Sequence, residues 1–332
     1  LLLIVAAGLW FTVGQTLYQI QRATAKATVP DDYALQDDSR ITIPAQRQLA
    51  IQPRNPLKNV YWGDLHVHTM ESFDAVLFGT TLTMEDAYRF ARGDTLPSDG
   101  GELMQLSRPL DFVAITDHAE GFGLRTRCAD ENLSLQENFN CWLMETPNIT
   151  TFLLLAALAG DASKALAAPG SAGVYANTAR THPVYANWPI CNLDETDPQR
   201  CYRDSNSDWA RYRKLADSHN QPGIFTAFSA YEFSPALPES GKHHRNVIFN
   251  GTDLPQHATS SLDVGNAIDL WRELEGSCSG DCDFLTIPHN MNKGWGLFYS
   301  RYTWDGKSYD DSGWRLRQRR EPLAEVYQVK GA

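Results

Sequence analysis

The chain has 332 residues, 42% hydrophobic and 11% aromatic, enough to bury a large core as one big barrel or two ordinary domains. With 29 Lys and Arg against 40 Asp and Glu, the net charge is -11, which excludes a general nucleic-acid binder, since that function needs a basic face to meet phosphates. A small anionic substrate stays open, because a metal centre can supply positive charge locally.

The chain opens on the apolar run "LLLIVAAGLWFTVG" and turns polar at "QTLYQIQR". The run is short for a membrane span of about 20 residues and suits the core of a signal peptide or a clipped signal anchor, so 1–20 is expected to be an export segment. It begins on Leu1 rather than Met, so further residues are expected before it. Residues 21–57 mix Gln, Ala, Asp and Pro without a sustained period and read as a linker, a tether to the membrane if the first segment is retained. The expected location is the periplasm or the outer face of a membrane.

The folded part is expected over 58–332. "TLTMEDAYRFARG" predicts a helix with Thr83 as cap, Glu85 and Asp86 in the first turn, and Gly93 as the stop. Apolar, β-branched runs at 110–118, 223–234, 244–251, 283–290 and 323–331 predict strands. Buried on both faces and separated by helices, they point to a parallel α/β architecture. Residues 120–220 break this rhythm and predict an insertion of one or two helices and long loops that covers or shapes a site.

Six cysteines fall into near neighbours: Cys128 with Cys141, Cys191 with Cys201, Cys278 with Cys282. Such spacing suggests local disulfides in an oxidising compartment, with reduced thiols as the alternative. None forms a C-x-x-C pair, which disfavours a zinc ribbon.

In "GDLHVHT", alternation along a strand puts Asp64, His66 and His68 on one face. Two imidazoles on one face are costly to bury without a partner. Of nine histidines, His66, His68, His118, His244 and His289 fall at predicted strand ends, as do the carboxylates Asp64, Asp117 and Glu232. Carboxyl ends of strands are where a parallel barrel gathers its active residues. Imidazole with carboxylate suits zinc, manganese or iron. His182, His219, His243 and His257 read as ordinary hydrogen-bonded residues.

The order "DLHVH", "ITDH", "YEFS", "IPH" resembles the PHP (polymerase and histidinol phosphatase) superfamily of metal-dependent phosphoesterases. "NVYWGDLHVHT", "FDAVLFGTTLTMEDAYRFARG", "RPLDFVAITDHAE", "HRNVIFNG" and "IPHN" resemble one branch more closely, the domain-of-unknown-function 3604 family. The resemblance runs from about residue 58 to the end. It implies a distorted, TIM-like (β/α)7 barrel and two or three divalent transition-metal ions in the complete protein. It makes His66, His68, Asp74, His118, Glu232, His244 and His289 the metal ligands, and all of these but Asp74 the catalytic set. Glu232 matches a carboxylate that bridges two metals. Asp64 and Asp117 are then expected to orient ligand imidazoles from behind. The superfamily's late Asp-x-His motif has no counterpart after His289, so the barrel is expected to be incomplete at its C-terminus, a fragment of a longer chain whose own activity is in question.

The implied mechanism is hydrolysis by a hydroxide that the metals bridge and hold. The implied substrate is a small phosphorylated anion, with Arg245 and Lys293, close to ligand strands, as candidate contacts. The aromatics of "NKGWGLFYSRYTW" are a candidate rim. Two rival readings are a metallohydrolase of another ester or an amide, and a non-catalytic binding protein on the same barrel.

Overall fold

The computed structural model describes residues 33–35 and 59–328, apart from 78, 99, 147–149, 151–199, 236–241, 295–297, 299–307 and 327. The export segment and most of the linker lie outside it. In chain order the elements begin with β1 (Tyr33–Leu35), β2 (Gly63–Val67), α1 (Phe73–Leu77), α2 (Met84–Ala91), β3 (Leu96–Pro97), β4 (Leu103–Leu106) and β5 (Phe112–Ile115). The segment 120–220 contributes α3 (Leu124–Cys128), α4 (Leu135–Glu145) and α5 (Arg200–His219). Then come β6 (Thr226–Phe228), β7 (Ala230–Phe233), β8 (Arg245–Asn250), α6 (Ala267–Ser277), β9 (Asp283–Pro288) and α7 (Asp311–Arg320).

The architecture is mixed α/β. A parallel sheet β2–β5–β6 and an antiparallel sheet β7–β8–β9 are joined by a parallel bridge between His118 and Glu232. A small antiparallel sheet, β1–β4–β3, stands apart. Among the described residues the strands do not close into a barrel. They do wrap: one small cluster unites Leu65 of β2, Ala114 of β5, Phe228 of β6, Ala230 of β7, Ile248 of β8 and Leu285 and Ile287 of β9. This is the inner face. The alternate residues Val113, Ile115, Ala227, Tyr231, Phe233, Val247, Phe249 and Phe284 join the larger core with the helices. Trp209, Tyr212 and Ala216 of α5 and Leu270, Trp271 and Leu274 of α6 are buried there at helical spacing. Burial of each large side chain contributes on the order of 1.5–3 kcal/mol.

Local signals explain the boundaries. Thr83 caps α2 in a reciprocal capping box with Asp86, and Gly93, at φ 94°, turns the chain out after it. Gly63 opens β2 because a Cβ there would lie 2.3 Å from the Phe112 ring. Disulfides Cys128–Cys141 and Cys278–Cys282 form as the spacing suggests, compatible with a protein outside the cytoplasm; of the third pair, Cys191 lies outside the described residues. No described helix is long and apolar enough to cross a membrane.

The parallel expectation holds for three of the nine described strands, β2, β5 and β6. Between β7 and β8 only 234–244 intervene, fewer residues than a parallel crossover of a dozen or more requires. The single strand expected over 223–234 is two, β6 and β7, which divide at Ser229 and enter different sheets. The strand expected over 323–331 is absent from its described part: 321–326 belongs to no helix or strand, with Leu323 and Val326 exposed.

Candidate metal centre

The inner face becomes polar where the strands end. Glu232 follows Ala230 by two residues on β7 and is fully buried; five imidazoles surround it. Oε2 lies 3.3 Å from His66 Nε2 and 2.8 Å from His68 Nε2. Oε1 lies 3.4 Å from His118 Nδ1, 2.5 Å from His244 Nδ1 and 3.3 Å from His289 Nε2. Asp74, from the first turn of α1, adds Oδ1 at 3.1 Å from His68 Nδ1 and Oδ2 at 3.3 Å from His118 Nε2. All seven residues predicted as ligands are thus brought together.

A bulge makes this possible in β2. Pairing with β5 shifts register between Asp64 and Val67, and the extra residue takes Asp64 out of the alternation that otherwise aligns it with the histidines. Asp64 stays exposed and accepts the backbone N–H of His66 at 3.0 Å. Asp117 also differs from expectation. Odd-numbered on a strand whose even residues Ala114 and His118 face inward, it points to the helix layer. Its oxygens accept Thr69 N–H at 2.6 Å, Thr69 Oγ–H at 2.7 Å and Tyr212 O–H at 2.7 Å. Neither carboxylate holds an imidazole; Asp117 instead fixes the loop after His68, and its carbonyl accepts the Glu232 N–H at 3.0 Å.

The two expected substrate contacts are elsewhere. Arg245 lies on the outer face of β8, buried against Trp271 and Phe298, with Nε 2.5 Å from Glu321 Oε2. Lys293 is exposed in the turn after β9, where its backbone pairs with Asn290 and Lys242. The proposed aromatic rim lies largely outside the described residues. His219 pairs with Glu85 at 2.8 Å and stacks on Tyr88, and His257 lies 2.8 Å from Asp263. His243 is buried beside Arg245 and Phe298. His182 lies outside the described residues.

Two contributors escaped the sequence reading. Ser234 donates to Glu232 Oε1 at 3.0 Å and lies 2.5 Å from His118 Nδ1. Strand parity could have found it, two residues after Glu232. Glu325 Oε2 lies 2.8 Å from His66 Nδ1, and its signal is a carboxylate in the middle of the otherwise apolar "PLAEVY".

The donor atoms lie close enough together to hold a metal ion. Three overlapping groups place their donor atoms within 4.8 Å of one another: His66, Glu232 and His289; His68, Asp74 and His118; His118, Glu232 and His244. Sharing of Glu232 and His118 between groups suits neighbouring ions, and the nitrogen-oxygen donor set without thiolate suits zinc, manganese or iron. Without a cation, protons take its place. Burial works against charge on each ring, yet the nearby carboxylates raise His68 to about 10 and also raise His66 and His118. Burial prevails at His244, lowered to about 3, and at His289. Desolvation opposes ionisation of Glu232 too, but His118, His289, His244 and His68 hold its carboxyl well below the usual range.

The sequence profile of a family described as "Protein of unknown function (DUF3604)" matches residues 55–332. The chain belongs to the DUF3604 family. The match takes in every residue of the site, from His66 to Glu325. Searches of curated proteins and of solved structures find no match to this DUF3604 chain.

Proposed function

We propose that this DUF3604 protein is an exported, metal-dependent hydrolase of phosphoesters, built on a PHP-type barrel. The observation that carries the reading is the buried Glu232 carboxylate encircled by five imidazoles, a donor set in excess of any structural need. His66, His68, Asp74, His118, Glu232, His244 and His289 would hold two or three ions. Bound there, the ions would supply Lewis acidity toward a phosphoryl oxygen and its leaving group. The chain's own part is to hold the ligands still. Asp117 and Thr69 fix the His68 loop, Asn290 Oδ1 accepts the His244 N–H at 3.1 Å, and Ser234 steadies Glu232 and His118 together. With Arg245 withdrawn into the helix layer, the charge of the substrate would be met by the ions that His66, His68, Asp74, His118, Glu232, His244 and His289 would hold.

The test is elemental analysis of the purified protein together with turnover of phosphate, carboxylate and sulfate esters. Two or three transition-metal ions per chain are expected, with phosphate ester turnover lost to a chelator and restored by manganese or zinc. Absence of bound metal, or turnover confined to the other esters, would overturn the phosphoesterase reading. Periplasmic location of a tagged full-length protein tests the export.

A further inference from the structure

We infer that Glu325 is a positioning residue of the metal centre, which holds His66 through Nδ1 and so commits its Nε2 to the metal. The inference rests on the metal-dependent reading above.

Geometry assigns the two nitrogens different partners. Nε2 of His66 faces Glu232 at 3.3 Å and belongs to the group that Glu232 and His289 complete. The His289 ring lies beside it, centroids 4.0 Å apart. Nδ1 points the other way, to Glu325 Oε2 at 2.8 Å. The shorter contact is the better hydrogen bond, so the proton of a neutral His66 resides on Nδ1. A carboxylate behind a ligand histidine fixes ring orientation and tautomer and increases its basicity.

The chain delivers Glu325 there deliberately. No sheet holds 321–326, yet three anchors do. Glu321 is tied to the buried Arg245, Glu325 N–H donates to Pro288 O at 3.0 Å, and the Gln328 side chain donates to His289 O. Two of these anchors sit at the end of β9, next to a ligand. The buried Arg245–Glu321 pair thus acquires a purpose. It starts a strap that carries a carboxylate from the end of β9 across to the end of β2, where the described strands leave the wall open.

The experiment measures zinc affinity by competition with a chromophoric chelator in the wild type, Glu325→Gln and Glu325→Ala. Alongside it, ¹⁵N NMR of His66 is recorded in the metal-free proteins, at a pH high enough to neutralise the ring. Glu325→Ala should weaken zinc binding by about 10–100-fold with the number of ions unchanged. Glu325→Gln, which still accepts from Nδ1, should lose less. Neutral His66 should carry its proton on Nδ1 in the wild type and mix tautomers in Glu325→Ala. Affinity within twofold of wild type in Glu325→Ala, or a wild-type proton on Nε2, would overturn the inference. Loss of one whole ion per chain would make Glu325 a ligand and overturn the positioning role as well. A wild type that takes up no metal would sink the metal-dependent reading instead, and the tautomer would still decide Glu325.

Discussion

Two buried polar clusters lie back to back on β8, and they are built on opposite terms. On the outer face Arg245 and Glu321, both essentially buried, satisfy each other, with the Trp271 and Phe298 rings flanking the guanidinium. On the inner face Glu232 meets five imidazoles at once, and Asp74 and Glu325 add two further carboxylates at the periphery. The first cluster is neutralised by its own ion pairs, Arg245 on Glu321 Oε2 and Arg317 at 3.4 Å from Glu321 Oε1. In the second, lone pairs outnumber the protons available to neutral rings, and the site is completed only by protonation or by cations. One arrangement is satisfied within the fold, and the other could hold a metal ion.

The largest expected effect comes from removing the shared ligand. Glu232→Gln keeps the shape but removes the charge that five imidazoles surround, so bound metal and ester turnover should both fall to background while the far-ultraviolet dichroism stays native. Retention of metal by Glu232→Gln would mean that the imidazoles bind alone and that Glu232 is not the hub.

Proton competition gives the next largest effect, and here the metal-free and metal-bound forms should diverge. His68 is raised from 6.5 to about 10 in the folded, metal-free protein, so its contribution to stability is fully present below 6.5 and is lost as pH rises toward 10. His66 and His118 act in the same direction. Metal must displace those protons, so its affinity should rise by about tenfold per pH unit for each proton released. Isothermal titration in two buffers of different ionisation heat counts the protons. A pH-independent affinity over this window would mean that the three rings do not ligate.

Arg245→Leu probes the outer cluster. Leaving the buried Glu321 with only the longer contact to Arg317 Nη2 at 3.4 Å should cost stability, toward the lower end of about 3–5 kcal/mol, read from denaturant unfolding, and through the strap it should also loosen Glu325. Zinc affinity should therefore drop by no more than Glu325→Ala drops it. A loss of all metal would place Arg245 in the site after all.

Much of this division was legible in the sequence, because strand alternation is a sharp signal. Parity along "ITDH" sends His118 inward and Asp117 outward, and along "HRN" it separates His244 from Arg245. Applying that rule strictly would have ruled out both Asp117 as an imidazole partner and Arg245 as a substrate contact. The reading of Asp64 failed for a different reason. A bulge is one extra residue, and nothing in "GDLHVHT" marks where pairing slips. Strand direction was also hidden, since apolar runs look alike in parallel and antiparallel sheets, and only the short connection after Phe233 hinted at the reversal. Glu325 could be reached only through tertiary contact, 259 residues from His66. The ligand set itself came from motif order, which alternation alone would not have supplied.

Tyr212→Phe asks how cleanly the two faces are separated, and its expected effect is the smallest. The phenol comes from α5, on the helix side, yet its hydroxyl reaches Asp117 Oδ2, and Asp117 adjoins His118 and supports the loop after His68. Loss of one buried hydrogen bond to a carboxylate should cost about 1–3 kcal/mol, visible as a lower midpoint in urea. Metal affinity should stay within about twofold, because both bonds from Thr69 to Asp117 survive the substitution and continue to fix the loop. A tenfold loss of affinity would show instead that α5 helps to hold the ligands. The segment 120–220 would then be part of the metal centre and not merely of the core beneath it.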